Sequence, residues 1–323
     1  MLFGKNASAG LLNITTYNPT PELATGFRTA YGSDNLVNLF GYVSGPLVED
    51  TLLGRISMYR NSSDPIIENE YPGGDDFNDR DEWGGRGKLR WLVTEELDAQ
   101  LAYTHVKRDH TCCVAALRQV AAGSVVDREG GAVGPKNDKV LDNDTSVGDT
   151  KVDIYSLEVN YSLGDFLLTS ISAYTNENVY GAARADTYTR TALPLNDSFE
   201  KYDQYTQELR LTSPAEGTIT YVAGLYYFYK KSDRTFYRYI DLQGIDLAPA
   251  GALSIFDAGK TDNESTAAFG QATWNITERS RLSLGARYNF DELGHKQTVE
   301  ALPGTAPAAP PGSIDQKDND QAG

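Results

Sequence analysis

The stretch YDQYTQELRLTSPAEGTITYVAGLYYFY, residues 202–229, decides the reading of this chain. Its first arm alternates strictly: Gln204, Thr206, Glu208, Arg210 and Thr212 fall on one face, and Tyr205, Gln207, Leu209 and Leu211 on the other. A tight Ser213-Pro214-Ala215-Glu216-Gly217 turn follows, and the second arm puts Tyr221, Ala223, Leu225, Tyr227 and Tyr229 on one face. Period-two alternation closed by a Pro/Gly turn is a β-hairpin signal. The arms exceed the soluble strand mode of about five or six residues. They meet the roughly 9–11 residues that a tilted transmembrane strand needs.

The same pattern repeats along the chain. Period two predicts about eleven strands, near 22–31, 34–45, 50–61, 78–93, 96–109, 150–162, 165–178, 199–213, 217–233, 261–276 and 280–293. Tyr155, Leu157, Val159 and Tyr161 oppose Ser156, Glu158, Asn160 and Ser162. Leu282, Leu284, Ala286, Tyr288 and Phe290 oppose Ser283, Gly285, Arg287, Asn289 and Asp291. Tight turns at 44–49, 94–95, 163–164, 213–217 and 277–278 alternate with long polar connections at 61–78, 110–149, 179–198 and 234–260. Outer-membrane barrels keep short turns on one rim and long loops on the other, whereas a sandwich has no reason to do so.

Aromatic placement points the same way. Trp91, Tyr161, Tyr221 and Trp274 sit near the short-turn ends, and Tyr103, Tyr227, Tyr229, Tyr288 and Phe290 toward the long-loop ends. Two heights of outward aromatics match the girdles of a membrane barrel. The opposite face carries Arg55, Arg86, Lys88, Arg90, Glu158, Glu208, Arg210, Arg287 and Asp291. Burying so many charges in a sandwich core costs several kcal/mol each unless they are paired. A wide, water-filled or plugged lumen removes that objection. The expected fold is therefore all-β, an antiparallel up-and-down transmembrane barrel with about eleven long strands in this chain.

Composition agrees. The chain has 323 residues with 20 Tyr against 2 Met, which favours strands and turns. Mean hydropathy is −0.44, and no run approaches the 18 or so apolar residues of a spanning helix. A net charge of −16 argues against nucleic acid as a partner, since phosphate binding wants a basic surface. Met1 to Asn6 shows neither a charged segment nor an apolar core of a signal peptide, so the expectation is a cytosolic protein or a start lying upstream.

No enzyme signature survives inspection. Trp83-Gly84-Gly85-Arg86-Gly87 lacks the strand–turn–helix setting and the Lys-Ser/Thr ending of a phosphate loop. His105, His110 and His295 sit at strand ends or in loops, without a nucleophile elbow. Asp75-Asp76 and the acidic cluster at 138–149 lack an EF-hand's spacing and read as solvated loop. Cys112 and Cys113 are adjacent, too close for easy disulfide geometry with each other, and His105 and His110 nearby lack zinc-ligand spacing. That loop reads as exposed, with a strained or intermolecular disulfide as the default. No catalytic, cofactor-binding or metal-ligating residue is assigned, and no cofactor is expected.

Particular residues then resemble a family. Leu2-Phe3-Gly4-Lys5-Asn6-Ala7-Ser8-Ala9-Gly10-Leu11-Leu12-Asn13-Ile14-Thr15, followed by Asn18-Pro19, resembles the end of the plug domain in TonB-dependent outer-membrane receptors. Gly41-Tyr42-Val43-Ser44-Gly45-Pro46-Leu47 is similar to that family's second-strand ending and first periplasmic turn. Gln207 to Pro214 with Ala223 to Phe228 resembles a mid-barrel hairpin of the same receptors, and Phe269-Gly270-Gln271-Ala272 with Leu284 to Tyr288 the next. The resemblance implies a plug remnant at 1–21, a partial receptor barrel at 22–300 and an external loop or disordered tail at 301–323. Family barrels have roughly 22 strands, so the chain reads as a fragment holding about half of one.

The resemblance further implies active uptake of a siderophore, haem, cobalamin or carbohydrate through the outer membrane of a Gram-negative bacterium. Its partners would be outer-membrane lipid, the small-molecule cargo, and TonB with ExbB–ExbD, although the TonB box itself is missing here. Ligand capture falls to the loops at 61–78, 110–149, 179–198 and 234–260, where Tyr180, Tyr188, Phe236, Tyr237 and Tyr239 offer stacking surfaces or mark the upper membrane interface. The ligand-binding residues themselves stay open. The alternatives are a porin-like passive channel and a soluble β-sandwich binding module.

Overall fold

The computed structural model describes residues 14–124, 127–128, 131, 133–183, 195–241 and 251–320. In chain order the strands are β1 (Ala24–Tyr31), β2 (Val37–Val48), β3 (Leu52–Ser63), β4 (Glu68–Asn69), β5 (Arg80–Leu92), β6 (Leu97–Thr111), β7 (Lys139–Val140) and β8 (Ser146–Leu163). Then come β9 (Phe166–Ala183), β10 (Leu195–Thr212), β11 (Ile219–Asp241), β12 (Ala252–Thr277), β13 (Ser280–Glu300), β14 (Ala306–Pro307) and β15 (Gly312–Asp320). The long strands make one sheet in the order β1-β2-β3-β5-β6-β8-β9-β10-β11-β12-β13-β15, in which every sequential pair is antiparallel. β14 pairs with β12 in parallel, and β4 pairs with β7 as a separate small sheet.

The turn chemistry explains the up-and-down path. Leu163 pairs with Phe166 across a two-residue Gly164-Asp165 loop, and Gly164 takes φ 61°. A positive φ at that position is what a tight hairpin demands, and glycine adopts it without steric cost. Asp50, in the β2–β3 turn, takes φ 55°, and Asp34 and Asn35 between β1 and β2 take 54° and 49°. These short polar side chains tolerate the left-handed region better than most.

The two faces of the sheet have opposite chemistry. On one face large apolar side chains stand in the open: Leu284 is 70% exposed and Leu225 60%. Leu101, Leu157, Leu209, Met58 and Ile56 are exposed on the same face. Apolar side chains buried in this sheet are few and scattered among the described residues, namely Leu53, Ala182, Ala267 and Phe269. Among the described residues no second sheet covers the apolar face, so the sandwich alternative falls. No described helix is long and apolar enough to cross a membrane; a barrel crosses with strands instead.

Tyrosines on the apolar face line up across neighbouring strands. Tyr103 pairs with Tyr155, Tyr155 with Tyr174, Tyr174 with Tyr205 and Tyr205 with Tyr229, at successive ring separations of 4.7, 6.2, 4.7 and 6.5 Å. Their hydroxyls reach up to carboxylates on the long-loop side: Tyr103 to Asp153 and Tyr174 to Asp203 at 2.6 Å, and Tyr229 to Asp262 at 3.0 Å. Apolar ring below and hydrogen-bonded hydroxyl above is how tyrosine spans a boundary between oil and water.

The eleven expected strands all form, but two expectations need correction. β11 and β12 run on through much of 234–260, which the sequence marked as loop. The segment 301–323, expected as loop or tail, contains β14 and β15, the latter paired along Asp291–Val299 of β13. Ion pairs Lys296–Asp315 and Lys317–Glu292 flank that pairing, so a polar strand is recruited by its neighbour rather than by an apolar pattern of its own.

Candidate functional site: the polar wall and its outer rim

The polar face holds every charged residue that alternation assigned to it. Arg90 pairs with Asp98 at 3.0 Å and Arg210 with Glu208 at 3.3 Å, Arg86 Nε donates to Thr104 at 2.8 Å, and Glu158 accepts from Asn160 at 3.0 Å. Aromatic rings on this face fold over glycines on the adjacent strand. A Cβ at Gly224 would lie 2.5 Å from the Phe269 ring, and one at Gly84 2.6 Å from the Tyr59 ring. Gly224 is the cross-strand partner of Phe269 and Gly84 that of Tyr59, so each ring lies against bare backbone.

Residues 14–20 lie against this wall near β2, β3 and β5. Lys88 Nζ, on a residue only 8% exposed, donates to Thr16 O and Asn18 Oδ1, each at 3.1 Å. Thr20 N and Oγ1 donate to Ser44 Oγ at 2.9 and 2.8 Å, and Arg55 lies over the rings of Tyr17 and Tyr42 at 5.5 and 4.0 Å. The segment is thus held to a polar wall in part by charge-assisted hydrogen bonds. Residues 2–13 of the plug-like motif lie outside the described residues.

Toward the long-loop ends, cations and rings interleave on the same face. Arg238 and Arg234 lie over the Phe236 ring at 5.0 and 5.7 Å, and Arg238 Nε is fixed by Asn196 Oδ1 at 2.8 Å. Lys230 sits 3.8 Å over the Tyr202 ring, whose hydroxyl donates to Glu177. Arg287 lies over Tyr226 at 5.3 Å and Phe269 at 5.6 Å. Each cation–π contact holds a guanidinium or ammonium in place while leaving it able to meet an anion.

The five aromatics singled out from sequence divide. Phe236 belongs to this constellation. Tyr180 and Tyr237 are on the apolar face, in a second ladder with Phe199 and Phe256 at ring separations of 4.7, 6.5 and 5.0 Å. Tyr239 shares the parity of Tyr237 on β11, and Tyr188 lies outside the described residues. Lys230, Arg234 and Arg238 were missed. Their signal was an extended arm of alternating cations and rings beyond Tyr229, masked by its polarity.

The connections after β3 and β6 fold together above the wall. Phe77 and Val140, fully or almost fully buried, pack with Val114 and Ile67 into a small core. Asn69 exchanges two hydrogen bonds with the backbone of Asp142 at 2.9 and 3.0 Å, and Asn78 does the same with Val114 at 2.8 and 3.1 Å. Lys139 bridges Glu70 and Glu68 at 3.0 Å each; the hydrogen bond it donates to Glu70, then that to Glu68, pushes its ammonium above the ordinary lysine value. The acidic runs serve this packing: Asp76 accepts from Asn69 N at 2.8 Å, and Asp79 from Thr111 N at 2.5 Å and Oγ1 at 2.6 Å. Cys112 and Cys113 are joined by a disulfide in the same cap.

A wall with one apolar and one polar face, tight turns at one end and a cap at the other, has known counterparts. A family profile described as TonB dependent receptor-like, beta-barrel, matches residues 115–319, more than half of the chain. The pesticin receptor of Yersinia enterocolitica (serotype O:8, biotype 1B) is 25% identical over 304 residues, which cover 90% of this chain and 40% of that receptor. The pesticin receptor of Yersinia pestis is 25% identical over 307 residues. Among solved structures, the ferric yersiniabactin uptake receptor FyuA from Yersinia pestis superposes with a TM-score of 0.77 at 20% identity, covering 96% of this chain and 44% of that one. The siderophore receptor PiuA from Acinetobacter baumannii gives 0.65 at 14%, covering 93% and 46%. These structures are alike in fold, and the chain spans 40% of the length of the curated receptors it matches. With its profile matched over most of the sheet, the chain belongs to the TonB-dependent receptor β-barrel family.

Proposed function

We propose that this chain is part of an outer-membrane receptor that takes up a scarce nutrient actively, with a ferric siderophore as cargo. The observation that carries the cargo class is the Arg234–Phe236–Arg238 group with Lys230 on Tyr202, on the polar face beside the long-loop rim. Fixed cations interleaved with rings suit a multiply anionic chelate with aromatic or conjugated arms. The names of relatives, a ferric yersiniabactin uptake receptor and a siderophore receptor, are consistent with that class. Haem, cobalamin and carbohydrate are the other cargoes the family suggests; a carbohydrate has no charge for the arginines to meet.

The apolar face then meets lipid and the polar face lines the lumen. β1 and β15 each have a partner on one side only among the described residues. Lipid supplies no hydrogen bonds to such edges, so further strands must close the barrel. Residues 14–20 pinned to the wall by Lys88 support a plugged lumen over an open porin, and TonB with ExbB–ExbD would supply the energy that moves a plug.

The test is uptake of radio-iron siderophores by an iron-starved Gram-negative host that lacks its own siderophore receptors. It expresses the complete receptor containing this chain, with and without TonB. Saturable, TonB-dependent accumulation supports the reading, with Arg234→Ala/Arg238→Ala raising the half-saturating concentration at least about tenfold, the equivalent of one lost charged anchor. Accumulation independent of TonB, or linear in concentration, overturns it in favour of a passive channel.

A further inference from the structure

We infer that His110, Cys112 and Cys113 form a redox-gated site for a soft, thiolate-preferring metal ion at the outer rim, separate from the cargo constellation. One ligand atom from each of the three residues lies within 4.8 Å of the other two. Among the described residues, theirs is the group of histidine, cysteine and acidic side chains with that geometry. In a tetrahedral site with metal–sulfur bonds of about 2.3 Å and metal–nitrogen bonds near 2.0 Å, ligand atoms stand about 3.3–3.8 Å apart. Small side-chain rotations therefore bring the three into range.

Two features beyond the spacing point to a ligand. His110 Nδ1 is buried and has no hydrogen-bond partner among the described residues. A buried ring nitrogen without a partner is a cost, and a cation bound at that nitrogen removes it. The second feature is Gly148, the cross-strand partner of His110 on β8. A Cβ there would lie 2.8 Å from His110 Cε1, 3.1 Å from its Nε2 and 3.4 Å from Cys112 Sγ, so a side chain at this position would crowd both imidazole and sulfur. The backbone around them is pinned on both flanks: Cys112 N donates to Ser146 O at 2.9 Å, Thr111 N to Asp79, and Val114 N to Asn78. Cys113 is exposed, leaving a side of the site open to solvent.

In the oxidised chain the sulfurs are bonded to each other and supply no thiolates. Two molecules of a small thiol reductant deliver two electrons and two protons. The Cys112–Cys113 bond breaks, two cysteine thiols form, and the reductant leaves as its own disulfide. On binding the metal, the two thiols release their protons to water while the neutral imidazole donates a lone pair. Two thiolates and one imidazole select soft or borderline ions such as zinc, cadmium and copper(I) over magnesium or calcium.

Cadmium chloride is the probe, titrated into the complete receptor containing this chain, in detergent micelles before and after phosphine reduction, and read by the ultraviolet thiolate–cadmium charge-transfer band. The reduced chain should take up one equivalent and the oxidised chain none in that band. His110→Gln should weaken binding by at least about tenfold, and Gly148→Ala, which crowds the ring but leaves both thiols, should weaken it in the same direction. A reduced chain that binds no better than the Cys112→Ser/Cys113→Ser variant overturns the site. Equal binding by the oxidised chain overturns the gate, and unchanged affinity in both His110→Gln and Gly148→Ala overturns the third ligand. If a variant fails to fold, the oxidised and reduced forms of the unaltered chain still decide the site and the gate, since a reduced chain with no charge-transfer band overturns both.

Discussion

The wall and the cap of this molecule are stabilised by opposite means. In the cap, Phe77 is 0% exposed and Val140 2%, in a core about as large as a few side chains can make. In the wall, Leu284 and Leu225 stand mostly exposed, and the strands are held chiefly by their backbone ladders. The cap folds as a small soluble unit does, by removing apolar atoms from water. The wall presents its apolar atoms on the open face, and in the function proposed above lipid is what removes them from water. On that reading one chain uses the same residue types in two solvents, and their facing tells which solvent each meets.

Phe77→Ala should produce the largest effect, about 3–5 kcal/mol, because the small core has nothing else to fill the space. Limited proteolysis in micelles should then cut within 64–79 and 112–145 while the sheet stays resistant. Loss of the sheet as well would merge cap and wall into one cooperative unit. Leu225→Arg should cost the wall about 2–4 kcal/mol in lipid if it lies near the bilayer midplane. Thr206→Arg, on the polar face, should leave folding into vesicles nearly unchanged; equal losses from both would erase the distinction between the faces.

Smaller changes sharpen the comparison. Asn69→Ala removes a side chain that pairs with both backbone groups of Asp142, and should loosen the cap by about 1–3 kcal/mol, read as faster hydrogen exchange at Asp142. Tyr174→Ala breaks the tyrosine ladder in the middle and should cost about 0.5–1.5 kcal/mol beyond lost area, seen as a lower urea midpoint in vesicles with the cap unaffected. The Lys139 bridge should matter least. Its raised pKa means that its contribution is complete below the ordinary value of 10.5 and fades as pH climbs through the higher folded value. Cap proteolysis should therefore quicken only at strongly alkaline pH, and Lys139→Met should remove that rise.

Much of the wall was legible because its signal is local. The alternation of Tyr155 to Tyr161 and of Leu282 to Phe290 named the apolar face directly, and Gly164 and Pro214 marked tight turns. What failed to show depends on partners distant in sequence. β15 has Ile314 as its one large apolar residue, and becomes a strand because β13 offers an edge and matching charges. Tyr174 and Tyr205 look like ordinary strand tyrosines until register places them side by side. The cap core joins Ile67, Phe77, Val114 and Val140, isolated apolar residues with no period to betray them.

The candidate site was legible in kind but not in detail. Phe236 and Tyr237 are neighbours of the same chemistry, and only their opposite facing gives one to the cation-lined polar wall and the other to the apolar ladder. The cluster of His110 with the two cysteines was visible in the sequence but lacked ligand spacing, and its open flank at Gly148, on another strand, could not be read there.

The most direct test of the two-solvent account is a spin-label scan of β10 from residue 204 to 210 in the complete receptor containing this chain, one cysteine at a time in the Cys112→Ser/Cys113→Ser background, in lipid vesicles. Labels at 205, 207 and 209 should be relaxed by dissolved oxygen, and those at 204, 206, 208 and 210 by a water-soluble nickel chelate, alternating residue by residue. Uniform accessibility to the chelate along the strand, or alternation in the opposite phase, would contradict the account.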